Sequence, residues 1–433
     1  MCMKFYSYLR ISIMFKVGKL FPSFKKNLLA DLTQNESFCI LPWIHTHFSP
    51  TGKAFLCCIS ASHPIGDTEY EKFEDLWNNK KYRQIRKMML AGEKPSECGA
   101  CHKNESIGSN SFRKDINEKF SHHIYSAFKQ TDSVTGFYPV KPWAYMDIRF
   151  SNKCNFKCRT CDPIHSHLWF ADTKLNDGKP KLINLADTKN YPSEQIESSL
   201  SNVEEIYFAG GEPLILDEHY NILSKIIEQN RAKKVILSYS TNLSVINYKN
   251  YSIVNLWKHF NYVLLIVSID AIGDLGEYMR FGLKWENLKN NFFQLKAACP
   301  HVSFNISITV SALNVLNLRE TILYFINEKW VDGSQIFINI LQNPEYLSIQ
   351  IMPPSAKQVV ETQILDLLSE HQDYFNQNTI LSKRLKDVIS FIKSDDKSNL
   401  IPQFKENTFD LDFKRSENSL NHVAWLKNEG RNI

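Results

Sequence analysis

The sequence predicts an α/β protein: an open or partial barrel of six parallel strand–helix units, with a small cysteine-rich module before it and helices after it. Three observations predict this. Six short runs rich in β-branched and aromatic residues recur between residues 144 and 341, stretches of helical periodicity lie between them, and eight of the ten cysteines fall between residues 39 and 161.

The strand runs are "AYMDIRF" (144–150), "EEIYFAG" (204–210), "KVILSYS" (234–240), "YVLLIVSID" (262–270), "VSFNISITV" (302–310) and "QIFINIL" (335–341). After the fifth run, Leu318, Ile322, Phe325 and Ile326 recur at helical spacing and share one face. Strands alternating with helices imply parallel pairing, and near-continuous apolar runs imply burial on both faces. The region before the barrel is rich in Cys, Pro and Gly and short of long periodic helices, as expected where metal holds a module together. After it, "SAKQVVETQILDLLSEH" and "ILSKRLKDVISFIKS" read as amphipathic helices, and the last thirty or so residues are polar and weakly patterned. The expected organisation is a segment over 1–36, a cysteine-rich module over 37–140, the barrel over 141–345, and a helical extension with a polar tail over 346–433.

Composition narrows the function classes. With 433 residues, 43% of them hydrophobic, the chain can bury a substantial core, and 51 basic against 46 acidic residues give only +5. No basic block interleaved with aromatics stands out, so a nucleic-acid partner is not expected. Arg10 and Lys16 interrupt the apolar N-terminal patches before they reach the length of a signal core or membrane span. A cytoplasmic protein without a membrane span is expected, its first segment an amphipathic helix at most. The tight cysteine spacings in such a chain favour thiolate-bound metal over disulfides.

"SNKCNFKCRTCDP" (151–163) places Cys154, Cys158 and Cys161 on the loop after the first strand. Reactive groups of a parallel barrel gather at the C-terminal strand ends. Three thiolates can hold three irons of a 4Fe–4S cube and leave the fourth iron open to a ligand bearing an amine and a carboxylate. The competing reading is a zinc site completed by His165, His167 or a distant Cys.

"CNFKCRTC" resembles the CxxxCxxC signature of the radical S-adenosylmethionine enzymes, a family built on a partial (β/α)6, TIM-like barrel. The resemblance implies that the open iron chelates S-adenosylmethionine and that reductive cleavage yields a 5′-deoxyadenosyl radical that abstracts hydrogen from a substrate. It extends along later strand ends over roughly residues 144–341. "AGGEP" resembles the family's GGEP element, which brings Gly210, Gly211, Glu212 and Pro213 to the cofactor's ammonium. In "YSTNLS", Ser240, Thr241 and Asn242 match a polar contact. "VSIDA" offers Ser268 and Asp270 to the ribose, the Arg280 of "YMRFG" resembles the arginine facing the cofactor carboxylate, and the Asn314 of "TVSALN" a hydrogen bond near the nucleoside. Thr160 stands where the family commonly has an aromatic residue, which moves the adenine contact elsewhere, to Phe156.

In the amino-terminal module, "CILPWIHTHFSPTGKAFLC" resembles the opening of the SPASM and twitch modules, which hold auxiliary iron–sulfur clusters. Cys39, Cys57, Cys98 and Cys101 would ligate a second 4Fe–4S cluster, with Gly52 in a hairpin turn between the first two and Cys58 as the rival of Cys57. A zinc ribbon is the alternative. In most relatives the module follows the barrel; here it precedes it.

The resemblance implies an oxidoreductase acting on a peptide or a small sugar-type metabolite, with the auxiliary cluster as electron acceptor and a flavodoxin or ferredoxin as donor. The alternatives are a redox-neutral epimerase with Cys58 as hydrogen donor and a non-catalytic metal-binding or redox-sensing protein. His45, His47, His165 and His167 are expected as solvated or capping residues, the alternative being bases or partners of the metal ligands, and Cys2 and Cys299 in no site.

Overall fold

The computed structural model describes residues 35–429 except 61, 107 and 109. Cys2 and nearly all of the expected N-terminal segment lie outside those residues. The chain divides into two compact units, one gathering residues up to 151 with 184–207 and 225–235, the other 152–183, 208–224 and the chain from 236 onward.

In the first unit, β1 (His47–Phe48) and β2 (Lys53–Phe55) form an antiparallel hairpin, and β3 (Gly66–Asp67) adds to β2. Gly52 turns the hairpin at φ +84°, a left-handed conformation that favours glycine. The module is short of long helices but not of helices: α1 (Lys80–Leu90), α2 (Gly99–Ser106), α3 (Phe112–Lys119) and α4 (Ser121–Gln130) run eight to eleven residues each. Their stripes are short and mixed in polarity, which hides them from a search for long apolar periods. In α1 the inward stripe Tyr82, Ile85, Arg86 and Met89 contains an arginine. Arg86 is buried because its guanidinium lies over the rings of Trp77 and Tyr82, 4.6 and 4.5 Å from their centroids, and donates to the carbonyls of Pro42 and Trp77 at 3.0 Å.

A parallel sheet of six strands carries the fold, its spatial order the same as its order along the chain. The strands are β4 (Tyr145–Asp147), β5 (Glu205–Phe208), β6 (Ile236–Thr241), β7 (Tyr262–Ser268), β8 (Val302–Val310) and β9 (Ile336–Ile340), each within its expected run except β6, which extends one residue past it. Within the second unit, β7 pairs with β6 and β8 in registers that set Ile266 opposite Ser240 and Asn305, and Ser268 opposite Ser307.

One expectation fails here. β4 is buried throughout, but the later strands are not buried on both faces: in β7, Val263, Leu265 and Val267 are buried whereas Leu264, Ile266 and Ser268 remain half-exposed. The half-exposed row continues through Ser307 and Thr309 of β8 to Phe337 of β9. A barrel that hosts chemistry leaves its inner face accessible near the strand ends, so period-two alternation replaces a continuous apolar run.

The opposite face packs on helices. Trp285, Phe292 and Phe325, from α5 (Trp285–Ala298) and α6 (Leu318–Asn327), surround Trp330 with ring centroids within 5.5 Å. Cys299 is buried in this layer, as expected for a packing residue. The two expected C-terminal helices are present as α7 (Pro354–Glu370) and α8 (Thr379–Lys393). The polar tail is not structureless, because it forms α9 (Ile401–Arg415), whose buried stripe is Phe404, Thr408, Asp412 and Arg415. A stripe with one apolar member in four gives no hydrophobic period.

Candidate active site

The three-cysteine loop lies in the second unit and is held at every turn. Lys157–Cys158 pairs antiparallel with Arg280–Phe281, with Arg280 opposite Cys158. The Cys154 amide donates to His167 Nδ1 at 3.2 Å, the Cys161 amide to the Cys158 carbonyl at 3.0 Å, and Trp169 Nε1 to that same carbonyl at 2.9 Å. His165 instead pairs with Asp162 at 2.9 Å. Both histidines therefore support the loop.

All three thiols are held up from the ordinary range. Burial pushes Cys154 to about 12, with Cys158 and Glu212 adding to the effect. Burial raises Cys158 too, opposed by Arg280, and burial with the neighbouring Cys158 and Asp162 raises Cys161 well above its usual value. Three sulfurs, Cys154 buried and Cys158 and Cys161 half-buried, that repel one another as anions suit a positive, thiophilic group. Arg280 Nη1 lies 3.7 Å from Cys158 Sγ, and Nε forms an ion pair with Asp270 at 3.0 Å. Burial works against the arginine's charge, but Asp270 and Cys158 more than offset it.

The glycine loop after β5 presses on the cysteine loop. The Glu212 amide donates to the Lys153 carbonyl at 2.8 Å, and a Cβ on Gly211 would come within 2.6 Å of that carbonyl's carbon. Gly210 takes φ +93°. The buried Glu212 carboxylate accepts from Leu214 N at 3.0 Å, Thr241 Oγ1 at 2.7 Å and Asn242 N at 2.7 Å, which ties the glycine loop to the end of β6. Pro213, also buried, follows it. Asn242 Nδ2 in turn donates to Asn155 Oδ1, inside the cysteine motif, at 2.9 Å.

Asn314 Nδ2 donates to the carbonyls of Asp270 (2.7 Å) and Thr309 (2.9 Å), bracing the ends of β7 and β8. Asp270 Oδ1 accepts from Thr309 N at 2.9 Å. Asp270 and Asn314 are thus engaged with protein groups; Ser240 and Ser268 are half-exposed positions of β6 and β7. Phe156 is 1% exposed, so its ring sits in the core beside Gly282. Sequence reasoning missed Ser307 and Asn339, bonded to each other at 2.7 Å between β8 and β9; the alternation Ser303, Asn305, Ser307, Thr309 within "VSFNISITV" carried the signal.

In the first unit, Cys39, Cys57, Cys98 and Cys101 line one cavity together with Glu97 and Arg113. Burial raises all four thiols, Cys57 to about 11 and Cys98 to about 12, and each of Cys39, Cys57 and Cys98 also feels other thiols of the set. Cys58 turns elsewhere, to the buried Asp147 carboxylate that pairs with Arg149 at 3.1 Å; burial and Asp147 hold its thiol protonated. The loop of Cys39 is fixed from α3, a contribution the motif did not reveal. Asn117 accepts from Ile40 N and donates to the Phe38 carbonyl, both at 2.8 Å, and Arg113 donates to that carbonyl at 2.7 Å.

A zinc ion bound by sulfurs at about 2.3 Å would hold them about 3.8 Å apart. Among the described residues, the one group of three or more His, Cys, Asp or Glu with ligand atoms mutually within 4.8 Å is His122, His123 and Glu204, so neither cysteine set brings three sulfurs that close. No described helix is long and apolar enough to cross a membrane.

Comparison with known proteins gives two family matches: the Radical SAM superfamily over residues 148–313 and SPASM, an iron–sulfur cluster-binding domain, over residues 39–102. No curated protein matches the sequence. Among solved structures, native anSMEcpe with bound AdoMet is 19% identical over 54% of this chain and 62% of that one, with a TM-score of 0.37. Streptococcus suis SuiB bound to the precursor peptide SuiA is 12% identical over 67% of this chain and 64% of that one, with a TM-score of 0.35. The chain thus spans less than two thirds of the length of either.

Proposed function

We propose, from the premise that this chain belongs to the radical SAM superfamily and carries a SPASM iron–sulfur domain ahead of its barrel, that it is a cytoplasmic oxidoreductase removing hydrogen from a C–H bond. The family cofactors are a 4Fe–4S cluster with S-adenosylmethionine and auxiliary iron–sulfur. Cys154, Cys158 and Cys161 would hold the cluster, which with S-adenosylmethionine would supply a hydrogen-abstracting radical by reductive cleavage of the sulfonium.

The chain's own residues prepare that site. Arg280 stabilises the Cys158 thiolate and is kept charged by Asp270; Gly210 and Gly211 expose backbone to a small charged ligand; Glu212 and Asn242 lock the glycine loop to the cysteine loop; Ser240 and Ser268 offer hydroxyls from half-exposed positions. Four thiols of the first unit suit a fully ligated auxiliary cluster, which can accept an electron but leaves no vertex for substrate. We assign the auxiliary module to 37–140, the barrel to 141–345 and an extension to 346–433, and take a flavodoxin or ferredoxin as electron donor.

The observation that carries the reading is the set of three neighbouring, largely shielded thiols with Arg280 against Cys158. Its test is anaerobic reconstitution, reduction with dithionite and addition of S-adenosylmethionine. The product 5′-deoxyadenosine is expected from the wild type and not from a Cys154/Cys158/Cys161 triple alanine variant. Its absence from the wild type would favour a non-catalytic metal or redox protein. Peptide and small sugar-type substrates are separated by which class raises 5′-deoxyadenosine formation.

A second reading is favoured by one observation, the protonated Cys58 thiol set apart from the other four. A thiol can return a hydrogen atom to a substrate radical, giving epimerisation without net oxidation. Solvent deuterium in the product, lost in Cys58→Ala, is the expected result of that route.

A further inference from the structure

The C-terminal end of α9 lies outside the residues matched to either family and grips the three-cysteine loop on both sides of Cys158. On one side, Arg159 is 3% exposed. Its Nη2 donates to Asp412 Oδ1 at 2.7 Å and to Glu417 Oε2 at 2.6 Å, its Nε to the Tyr278 carbonyl at 3.2 Å, and its guanidinium lies 3.8 Å from the centroid of the Tyr278 ring. Asp412 is itself oriented by Tyr278 OH at 3.0 Å and Ser419 N at 2.6 Å.

On the other side, Arg415 Nη1 donates to the Lys157 carbonyl at 2.8 Å and Nε to Asp172 Oδ2 at 2.9 Å. Its guanidinium lies over Trp169, the residue whose indole N–H holds the Cys158 carbonyl. Lys414 Nζ adds a bond to the Asp172 carbonyl at 2.8 Å. The groups on either side of Cys158 are thus fastened by side chains that lie some 250 residues away in sequence. Surface ion pairs contribute little, but these are buried, forked and shared with backbone carbonyls, so removing one partner strands the other.

We propose that the end of α9, through Asp412, Arg415 and Glu417, is a positioning element of the three-cysteine site. It fixes the backbone that carries Cys158 and adds a second buried cation, after Arg280, to the surroundings of that sulfur. This rests on the cluster reading of the site. A cation near a cluster thiolate favours the reduced, more negative cluster, so Arg415 should raise its reduction potential.

The test uses the full chain, reconstituted anaerobically, in four variants: Glu417→Gln, Arg415→Lys, Arg415→Met and, as control, Phe413→Ser on the exposed face of α9, where Phe413 is 87% exposed. Three readings are taken: the midpoint potential of the cluster whose EPR signal responds to S-adenosylmethionine, the rate at which that signal is lost to an iron chelator, and hydrogen exchange of residues 153–162 in the cluster-free chain. Arg415→Met should lower the potential and Arg415→Lys restore it. Glu417→Gln, which keeps the volume and leaves Asp412 in place, should speed signal loss about tenfold and loosen exchange in the loop. The control should match the wild type.

Wild-type potential in Arg415→Met, or wild-type signal loss and exchange in Glu417→Gln, overturns the inference while leaving the cofactor reading intact. A wild-type protein with no signal responsive to S-adenosylmethionine overturns both. Should Arg415→Met not fold, wild-type signal loss and loop exchange in Glu417→Gln still refute the positioning role.

Discussion

Gly211→Ala tests whether the glycine loop and the cysteine loop are built as one body. The added methyl points at the Lys153 carbonyl, with the carbonyl carbon at 2.6 Å and the Asn152 carbonyl carbon at 3.0 Å, and both obstacles are backbone that no rotamer change can clear. The chain must part there by on the order of 1 Å, and the hydrogen bond of 2.8 Å from Glu212 N to Lys153 O is the first to break. Overpacking a close contact costs about 1–3 kcal/mol and a broken hydrogen bond about 1 kcal/mol more, so the variant should be about 2–4 kcal/mol less stable. Displacing a cofactor-binding group by about 1 Å lowers turnover about a hundredfold. The assay pairs denaturant melts with the rate of 5′-deoxyadenosine release. Gly92→Ala is the control: its Cβ meets nothing within 4 Å and only the left-handed φ of +78° is strained, for about 1 kcal/mol and no effect on turnover. A Gly211→Ala protein with wild-type melting and turnover would show that the two loops do not touch, and the account of the site built on their close approach would be wrong.

Cys57→Ala should reduce iron from about eight to about four per chain, whereas Cys58→Ala should leave it unchanged; equal losses would refute the division of the two neighbours. Asn117→Ala removes both bonds that bracket Cys39 and should cost about 2 kcal/mol in the melt and release auxiliary iron faster to a chelator. In Glu212→Gln an amide NH2 must face a backbone or hydroxyl donor, so stability should fall by about 1–3 kcal/mol and the yield of S-adenosylmethionine-responsive EPR signal should fall with it. Burial holds His219 down to about 3, against an ordinary value of 6.5. The unfolded chain therefore binds a proton there from pH 6.5 downward that the folded chain does not, and stability falls with falling pH at about 1.4 kcal/mol per unit from this residue alone. His219→Phe, which keeps a ring against Phe208 and Tyr239, should flatten the slope of unfolding free energy between pH 5 and 6.5 by about that amount.

What the sequence disclosed and what it withheld divide along a physical line. Strands β4 to β9 were legible because each is a run of β-branched and aromatic residues, and the cysteine loop because thiols at spacings of four and three carry chemistry that packing does not require. The hidden parts are those where polar groups do the work of burial. Helix α9 turns Thr408, Asp412 and Arg415 inward, so no apolar period announces it, and α1 does the same with Arg86. Likewise Asp270 and Asn314 are placed by motif at strand ends, but only the folded chain shows them engaged by Arg280 and by the carbonyl of Thr309. A motif states which atoms are available, whereas their remaining hydrogen-bonding capacity depends on partners from distant sequence. The same limit explains Cys57 and Cys58: the two are adjacent in sequence, but Cys57 faces the other thiols of the cavity whereas Cys58 faces Asp147, which lies about ninety residues away.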